Sequence, residues 1–251
     1  MQSALFLPGV IAPAADRYAP LLRHLDHVNV VLKDLELYRS DVPPPGYSIG
    51  AEVDGVLRVA DEAGLDRFHL YGHSGGGAVA IAFALAHADR VVTLVLDEPA
   101  HDFTDAGNAE FGWPDFDRVL HLPPSESLRE FMKLQVQPGV SLPPPPPGAP
   151  PSWMASRPAG VRAFVAALRA YRVPENDYRG FEKPVYFSWG SLTHQRWHSM
   201  AQRLSRLFPN FTAEQFESLH HLNASHVAEP QRVAARLTEL WQRDSGHGLQ
   251  N

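Results

Sequence analysis

The 251-residue chain contains no cysteine. Disulfides, thiolate metal sites and cysteine nucleophiles are excluded together. Long hydrophobic runs are also missing. No apolar stretch approaches the ~18 residues of a membrane-spanning helix, so no membrane partner is expected. There is no long basic run, and 22 Lys and Arg against 28 Asp and Glu leave a formal charge of -6. That balance argues against a nucleic-acid surface. The opening MQSALFLPGVIAPAA is apolar but lacks a basic start, and Pro8-Gly9 breaks it early. It reads as a first strand and turn rather than an export signal. The expected location is therefore cytoplasmic, and the triplets Asn210-Phe211-Thr212 and Asn223-Ala224-Ser225 are read as chance matches to glycosylation signals.

What is present is an ordinary globular composition, 44% hydrophobic and 20% charged, on a chain long enough for one sizeable core and an insertion. Strand-like and helix-like segments alternate. Ala4–Leu7, Val28–Leu32, Phe68–Tyr71, Val91–Leu96 and Val185–Ser188 are apolar runs of strand length, and Ala213–Glu217 is a weaker one. Between them, Val53, Val56, Leu57 and Ala60 recur at helical spacing, as do Trp197, Met200, Ala201 and Leu204, and Val233, Leu237, Leu240 and Trp241. Repeated β-α units predict a mostly parallel sheet with helices on both faces. Residues 101–180 interrupt the pattern with helical pieces and many prolines. Ser127 and Glu130 predict a capping box, and Val161, Phe164, Val165 and Leu168 an amphipathic helix. PPPPPGAPP at 143–151 predicts an extended, semi-rigid connector. The division is thus 1–100 with 181–251 as the core, and 101–180 as an inserted lid.

The stretch Tyr71-Gly72-His73-Ser74-Gly75-Gly76-Gly77 joins a strand to an alanine-rich helix and contains G-x-S-x-G. A serine there sits on a strained turn with its hydroxyl above the sheet. Side chains two residues to either side would strike backbone, which explains Gly72 and Gly76. The helix that starts at the serine aims free N–H groups at a developing oxyanion. Ser74 is the candidate nucleophile.

With this motif in this context, the chain resembles the α/β-hydrolase superfamily over nearly its whole length, from Leu5 to Trp241. The resemblance implies the α/β-hydrolase fold, without the extra N-terminal strands of larger members. Leu7-Pro8-Gly9-Val10 stands where many members have His-Gly-x, and Pro8 departs from the histidine. By resemblance, the two oxyanion N–H groups belong to Val10 and Gly75. The general base is expected after the last strand, where His220, His221 and His226 lie in LHHLNASHVAEP. The family spacing from Phe208-Pro209-Asn210 favours His221, with His226 the main rival and His220 last.

The third member, a carboxylate, follows the strand ending in WGSLTH in many relatives, where Thr193 stands here. Threonine cannot stabilise an imidazolium as a carboxylate does. Some members place the acid after the preceding strand, and Leu96-Asp97-Glu98-Pro99-Ala100 resembles their Asp-Pro-Ala ending. Glu98 is therefore expected to be the acid. Asp97, which extended backbone would point the opposite way, and Asp102 are the alternatives. His194 and His198 form an i, i+4 pair on the helix predicted there, but Gln195 replaces a zincin glutamate and no third ligand is evident, so no metal is expected.

These parts suit acyl transfer without a cofactor: a serine hydrolase acting on a small, partly apolar ester-like molecule under an aromatic-rich lid. Two other readings share the same residues. One is a ligand-binding or signalling protein with little turnover; the other is cofactor-free haloperoxidase or lyase chemistry. Serine at position 74 disfavours a dehalogenase with an aspartyl nucleophile.

Overall fold

A computed structural model describes residues 2–144 and 148–245. In chain order the elements are β1 (Gln2–Leu7), α1 (Ala14–Leu22), β2 (Val28–Leu32), α2 (Ile49–Glu62), β3 (Phe68–His73), α3 (Gly75–Ala86) and β4 (Val91–Asp97). Five helices follow: α4 (Asp105–Glu110), α5 (Trp113–Leu120), α6 (Pro124–Lys133), α7 (Arg157–Ala170) and α8 (Glu175–Gly180). The chain then returns through β5 (Val185–Gly190), α9 (Arg196–Leu207), β6 (Phe211–Phe216), α10 (Ser225–Ala228) and α11 (Pro230–Ser245).

The six strands form one parallel sheet in the order β2-β1-β3-β4-β5-β6. Strand alternation divides its side chains between two cores. Leu5, Leu70, Leu94 and Phe187 face the side covered by α2, α3 and α9. Phe6, Tyr71, Val95 and Tyr186 face the side covered by α1 and α11. The expected α/β architecture is therefore present. The strand order reverses between β1 and β3, and the helices that follow them, α1 and α3, lie on opposite faces of the sheet. Such a switch point opens a crevice at the C-terminal edge of the sheet.

Three local expectations are corrected. Ser127 lies within α6, whose first residue is Pro124, so it forms no capping box with Glu130. Proline needs no N–H partner in a first helical turn, and here it starts the helix earlier. His194 precedes α9, so His194 and His198 do not share that helix; the His194 ring instead accepts the Arg196 N–H at 3.2 Å. The strand expected at Ala213–Glu217 begins at Phe211 and ends at Phe216. Pro145–Pro147 of the proline run lie outside the described residues. No helix among the described residues is long and apolar enough to cross a membrane.

Candidate active site

Ser74 follows β3 at φ 53° and ψ -118°. A positive φ is costly for a residue with a side chain, on the order of 1–3 kcal/mol, and survives only where the surroundings fix it. Here the Ser74 N–H donates to the Asp97 carbonyl at 3.1 Å, and the Ala100 N–H donates to the Ser74 carbonyl at 2.7 Å. The flanking glycines are required by close approach. A Cβ on Gly72 would lie 2.4 Å from the Gly76 carbonyl oxygen, and one on Gly76 would lie 2.4 Å from that of Leu7.

Glu98, just beyond β4, is the second residue of the site held at positive φ, 49°. Its N–H is tied to the Ser188 carbonyl at 2.9 Å. The turn sends two adjacent acids to different places. Glu98 Oε2 lies 2.6 Å from His221 Nδ1, and His221 Nε2 lies 2.9 Å from Ser74 Oγ. Asp97 instead meets His226 Nδ1 at 2.5 Å and accepts from Tyr71, Ser188 and Ser225. Burial pushes the Asp97 carboxyl upward, but the bonds from His226, Tyr71 and Ser188 outweigh it and hold the group below its ordinary value. Asp102 is farther out and pairs with Arg203 at 2.7 Å. His220 turns back on its own loop, its Nδ1 accepting from Leu222 and Asn223. Of the residues singled out in the sequence, Ser74, His221 and Glu98 thus form one hydrogen-bonded chain, and His226, His220, Asp97 and Asp102 stand outside it.

The His221 ring is packed between Trp197, 4.6 Å away, and His73, 5.0 Å away. Burial, and then the nearby Arg17 charge, hold the His73 pKa well below its usual value, so it stacks as a neutral ring. Arg17 Nη2 lies 3.2 Å from His73 Nε2 and donates to the His221 carbonyl at 3.4 Å.

WGSLTH supplies two hydrogen bonds to Glu98. The Gly190 N–H and the Thr193 hydroxyl both donate to Glu98 Oε1, at 2.7 and 2.6 Å. Gly190 also lets β5 approach the histidine loop, since a Cβ there would lie 2.2 Å from the Leu219 carbonyl oxygen.

The loop after β1 is fixed from three sides. The Pro8 carbonyl accepts from Gly76 N–H at 2.9 Å, the Val10 carbonyl from Tyr38 Oη at 2.6 Å, and the Ile11 carbonyl from Arg157 Nε at 2.6 Å. The N–H groups of Val10 and Gly75 make no hydrogen bond among the described residues.

Two cavities meet at Ser74. The larger, of about 210 Å³, is bordered by Ile11, Arg17, Met132, His221 and Leu222. The smaller, of about 20 Å³, is bordered by Gly75, Ala100, Phe116, Phe164 and Arg196. Arg196 donates to the Leu134 carbonyl and to Gln135 Oε1, and its guanidinium lies 4.1 Å from the Trp197 ring centre. Burial lowers its pKa to about 9.

His73, Glu98 and His221 are the described residues whose ligand atoms come within 4.8 Å of one another as a metal site would require. Glu98 and His221 already share a hydrogen bond there, and a cation ligated by both would have to break it.

A family model described as "Alpha/beta hydrolase family" matches residues 4–237. The chain belongs to the α/β-hydrolase family. Among curated relatives of this α/β hydrolase, "Putative carbamate hydrolase RutD" of Caulobacter vibrioides is 38% identical over 53 residues. That match spans 21% of this chain and about a fifth, 20%, of the relative. Among solved structures, carboxylesterase CesB (YbfK) from Bacillus subtilis is 19% identical with a TM-score of 0.68, covering 96% of this chain and 83% of that one. Naproxen esterase from the same species is 16% identical with a TM-score of 0.64, over 96% of this chain and 83% of its own. At these identities the likeness is one of fold.

Sequence reasoning missed the parts played by Thr193, Gly190, His73, Arg17 and Arg196. Only Thr193 had left a signal, by standing where many relatives carry the acid.

Proposed function

We propose that this α/β hydrolase is a serine hydrolase of esterase type that acts through a covalent acyl-enzyme. The observation that carries the reading is the buried relay from Ser74 Oγ through His221 to Glu98, at 2.9 and 2.6 Å. In it, Ser74 Oγ attacks the substrate carbonyl carbon while His221 Nε2 takes its proton. The Glu98 carboxylate fixes the imidazole tautomer and stabilises the imidazolium. The N–H groups of Val10 and Gly75 receive the oxyanion, where preformed donors are most effective. His221 returns its proton to the leaving oxygen, the C–O bond breaks, and water activated by the same histidine releases the acid.

The helices between β4 and β5 act as a lid. Phe111, Phe116, Phe131 and Phe164 border the cavities at Ser74, and an apolar roof excludes the water that would weaken the site's electrostatics. Carboxylesterases among the structural neighbours agree with an ester substrate, and the name of the curated relative adds carbamates to the acyl compounds worth assaying.

A fluorophosphonate probe tests the reading. The wild type should be labelled, and Ser74→Ala and His221→Ala should not. Labelling that does not depend on Ser74, or no labelling at all, refutes it.

A further inference from the structure

We infer that the substrate is an ester of a short acyl group with a larger and mostly apolar alcohol. This rests on the serine-hydrolase reading and adds the direction in which the ester lies. A tetrahedral intermediate on Ser74 has three other substituents to place. The oxyanion goes to the N–H groups of Val10 and Gly75. The leaving oxygen must lie beside His221 Nε2, because that atom returns the proton. His221 borders the 210 Å³ cavity and not the 20 Å³ one, so the alcohol occupies the larger space. The acyl substituent is left with the smaller space, on the Gly75 side of Ser74.

That space is small and firmly walled. At about 20 Å³ against about 210 Å³ it is by far the tighter of the two spaces, and it leaves room only for a short acyl chain. Phe164 closes it directly over the oxyanion donor: a Cβ on Gly75 would be 3.1 Å from Phe164 Cζ and 2.6 Å from Val10 Cγ1. Phe116 is held by stacking on Phe111, with ring centres 4.5 Å apart. Arg196 adds a chemical barrier. Its buried Nε has no hydrogen-bond partner, and it forms no ion pair among the described residues. A hydrocarbon chain pushed against this guanidinium would strip it of any remaining polar contact. The larger cavity has a long apolar wall of Ile11, Met132, Pro143 and Leu222, with Arg17 also bordering it.

Hexyl acetate and ethyl hexanoate are isomers, with the same atoms and different ester orientation. The full chain should cleave hexyl acetate at least about tenfold better in kcat/KM, in a Ser74-dependent reaction. Phe164→Ala should raise the ratio of ethyl hexanoate to hexyl acetate cleavage about tenfold, and Phe164→Leu serves as a milder opening should the alanine variant fold poorly. Equal cleavage of the isomers, or a preference for ethyl hexanoate, overturns the inference. So does an unchanged ratio in a folded Phe164 variant. If the fluorophosphonate labels Ser74 but neither isomer is cleaved, the inference fails while the hydrolase reading stands. If Ser74 is not labelled and neither isomer is cleaved, the hydrolase reading itself has failed.

Discussion

Thr193 Oγ1 donates a 2.6 Å hydrogen bond to Glu98 Oε1, across 95 residues of sequence. The residue that stands where many relatives carry an acid therefore holds Glu98, a carboxylate supplied by another strand. The two positions converge because β4 and β5 are parallel neighbours, with Asp97 in register with Ser188. Their ends emerge together at the same edge of the sheet.

The relationship separates two roles by mutation. Glu98→Gln removes the charge opposite the imidazolium and should lower kcat by roughly 10³- to 10⁴-fold with little change in KM. Thr193→Val removes one hydrogen bond to the acid, about 1 kcal/mol, and should lower kcat only ~5-fold. The double variant Glu98→Gln/Thr193→Asp returns a carboxylate from the other strand end and should recover at least about tenfold over Glu98→Gln. Steady-state kinetics on one ester decides all three. Wild-type turnover in Glu98→Gln would remove Glu98 from the mechanism.

Asp97 and His226 make a second buried acid–histidine pair, tied to Ser74 through the Asp97 backbone carbonyl rather than through either side chain. Breaking a buried pair leaves an unpaired polar group, so Asp97→Asn should destabilise the fold by about 3 kcal/mol. The folded fraction should keep its kcat within ~10-fold. Urea unfolding and activity per folded molecule measure the two effects separately. A rate loss as large as that of Glu98→Gln would transfer the acid role to Asp97.

The sheet and Ser74 were legible because they follow from local rules. Alternation splits Leu5 from Phe6 and Leu70 from Tyr71, and Gly72 answers to a clash with Gly76 in the same motif. Which of Asp97 and Glu98 faces His221 depends on Glu98 adopting φ 49°, imposed by the tertiary bond from its N–H to Ser188. No propensity predicts that conformation. Arg17, His73 and Arg196 were illegible for a related reason. Arg17 and Arg196 reach the site from α1 and from the start of α9 and carry no motif, and His73 stands at an unspecified position of G-x-S-x-G. The failed capping box shows the converse limit. Ser127 and Glu130 had the right spacing, but Pro124 starts α6 before them.

Acid should weaken the fold between pH 6.5 and about 4. His69 lies against Trp241 at 4.8 Å, and burial lowers its pKa to about 4; burial also lowers His101 to about 3. In the unfolded chain each titrates near ~6.5. Below that pH the unfolded state binds protons that the folded state refuses, so stability falls as pH falls, until the folded groups also titrate. The slope approaches about 1.4 kcal/mol per pH unit for each such histidine. Urea midpoints at pH 7, 6, 5 and 4 should decline steadily, and His69→Gln should flatten the decline by up to about that amount. A profile that stays level from pH 7 to 4.5 would contradict the argument.

Tyr38 fixes the loop that carries Val10, the proposed oxyanion donor. Its hydroxyl donates to the Val10 carbonyl at 2.6 Å, and its ring lies beneath Arg157, 3.7 Å from the guanidinium carbon. A Cβ on Gly160 would lie 2.3 Å from Tyr38 Cε1, so the ring is also clasped by α7. Tyr38→Phe keeps the ring and its packing and removes only the bond that fixes the Val10 carbonyl, in the peptide next to the one that carries the Val10 N–H. The N–H of that residue is needed most when negative charge develops on the carbonyl oxygen. Misaligning it should therefore lower kcat by roughly tenfold and leave KM nearly unchanged, because the ground-state ester relies on it little. The fold itself should lose no more than about 1.5 kcal/mol. A raised KM with kcat intact would place Tyr38 in substrate binding instead, and would count against Val10 as an oxyanion donor.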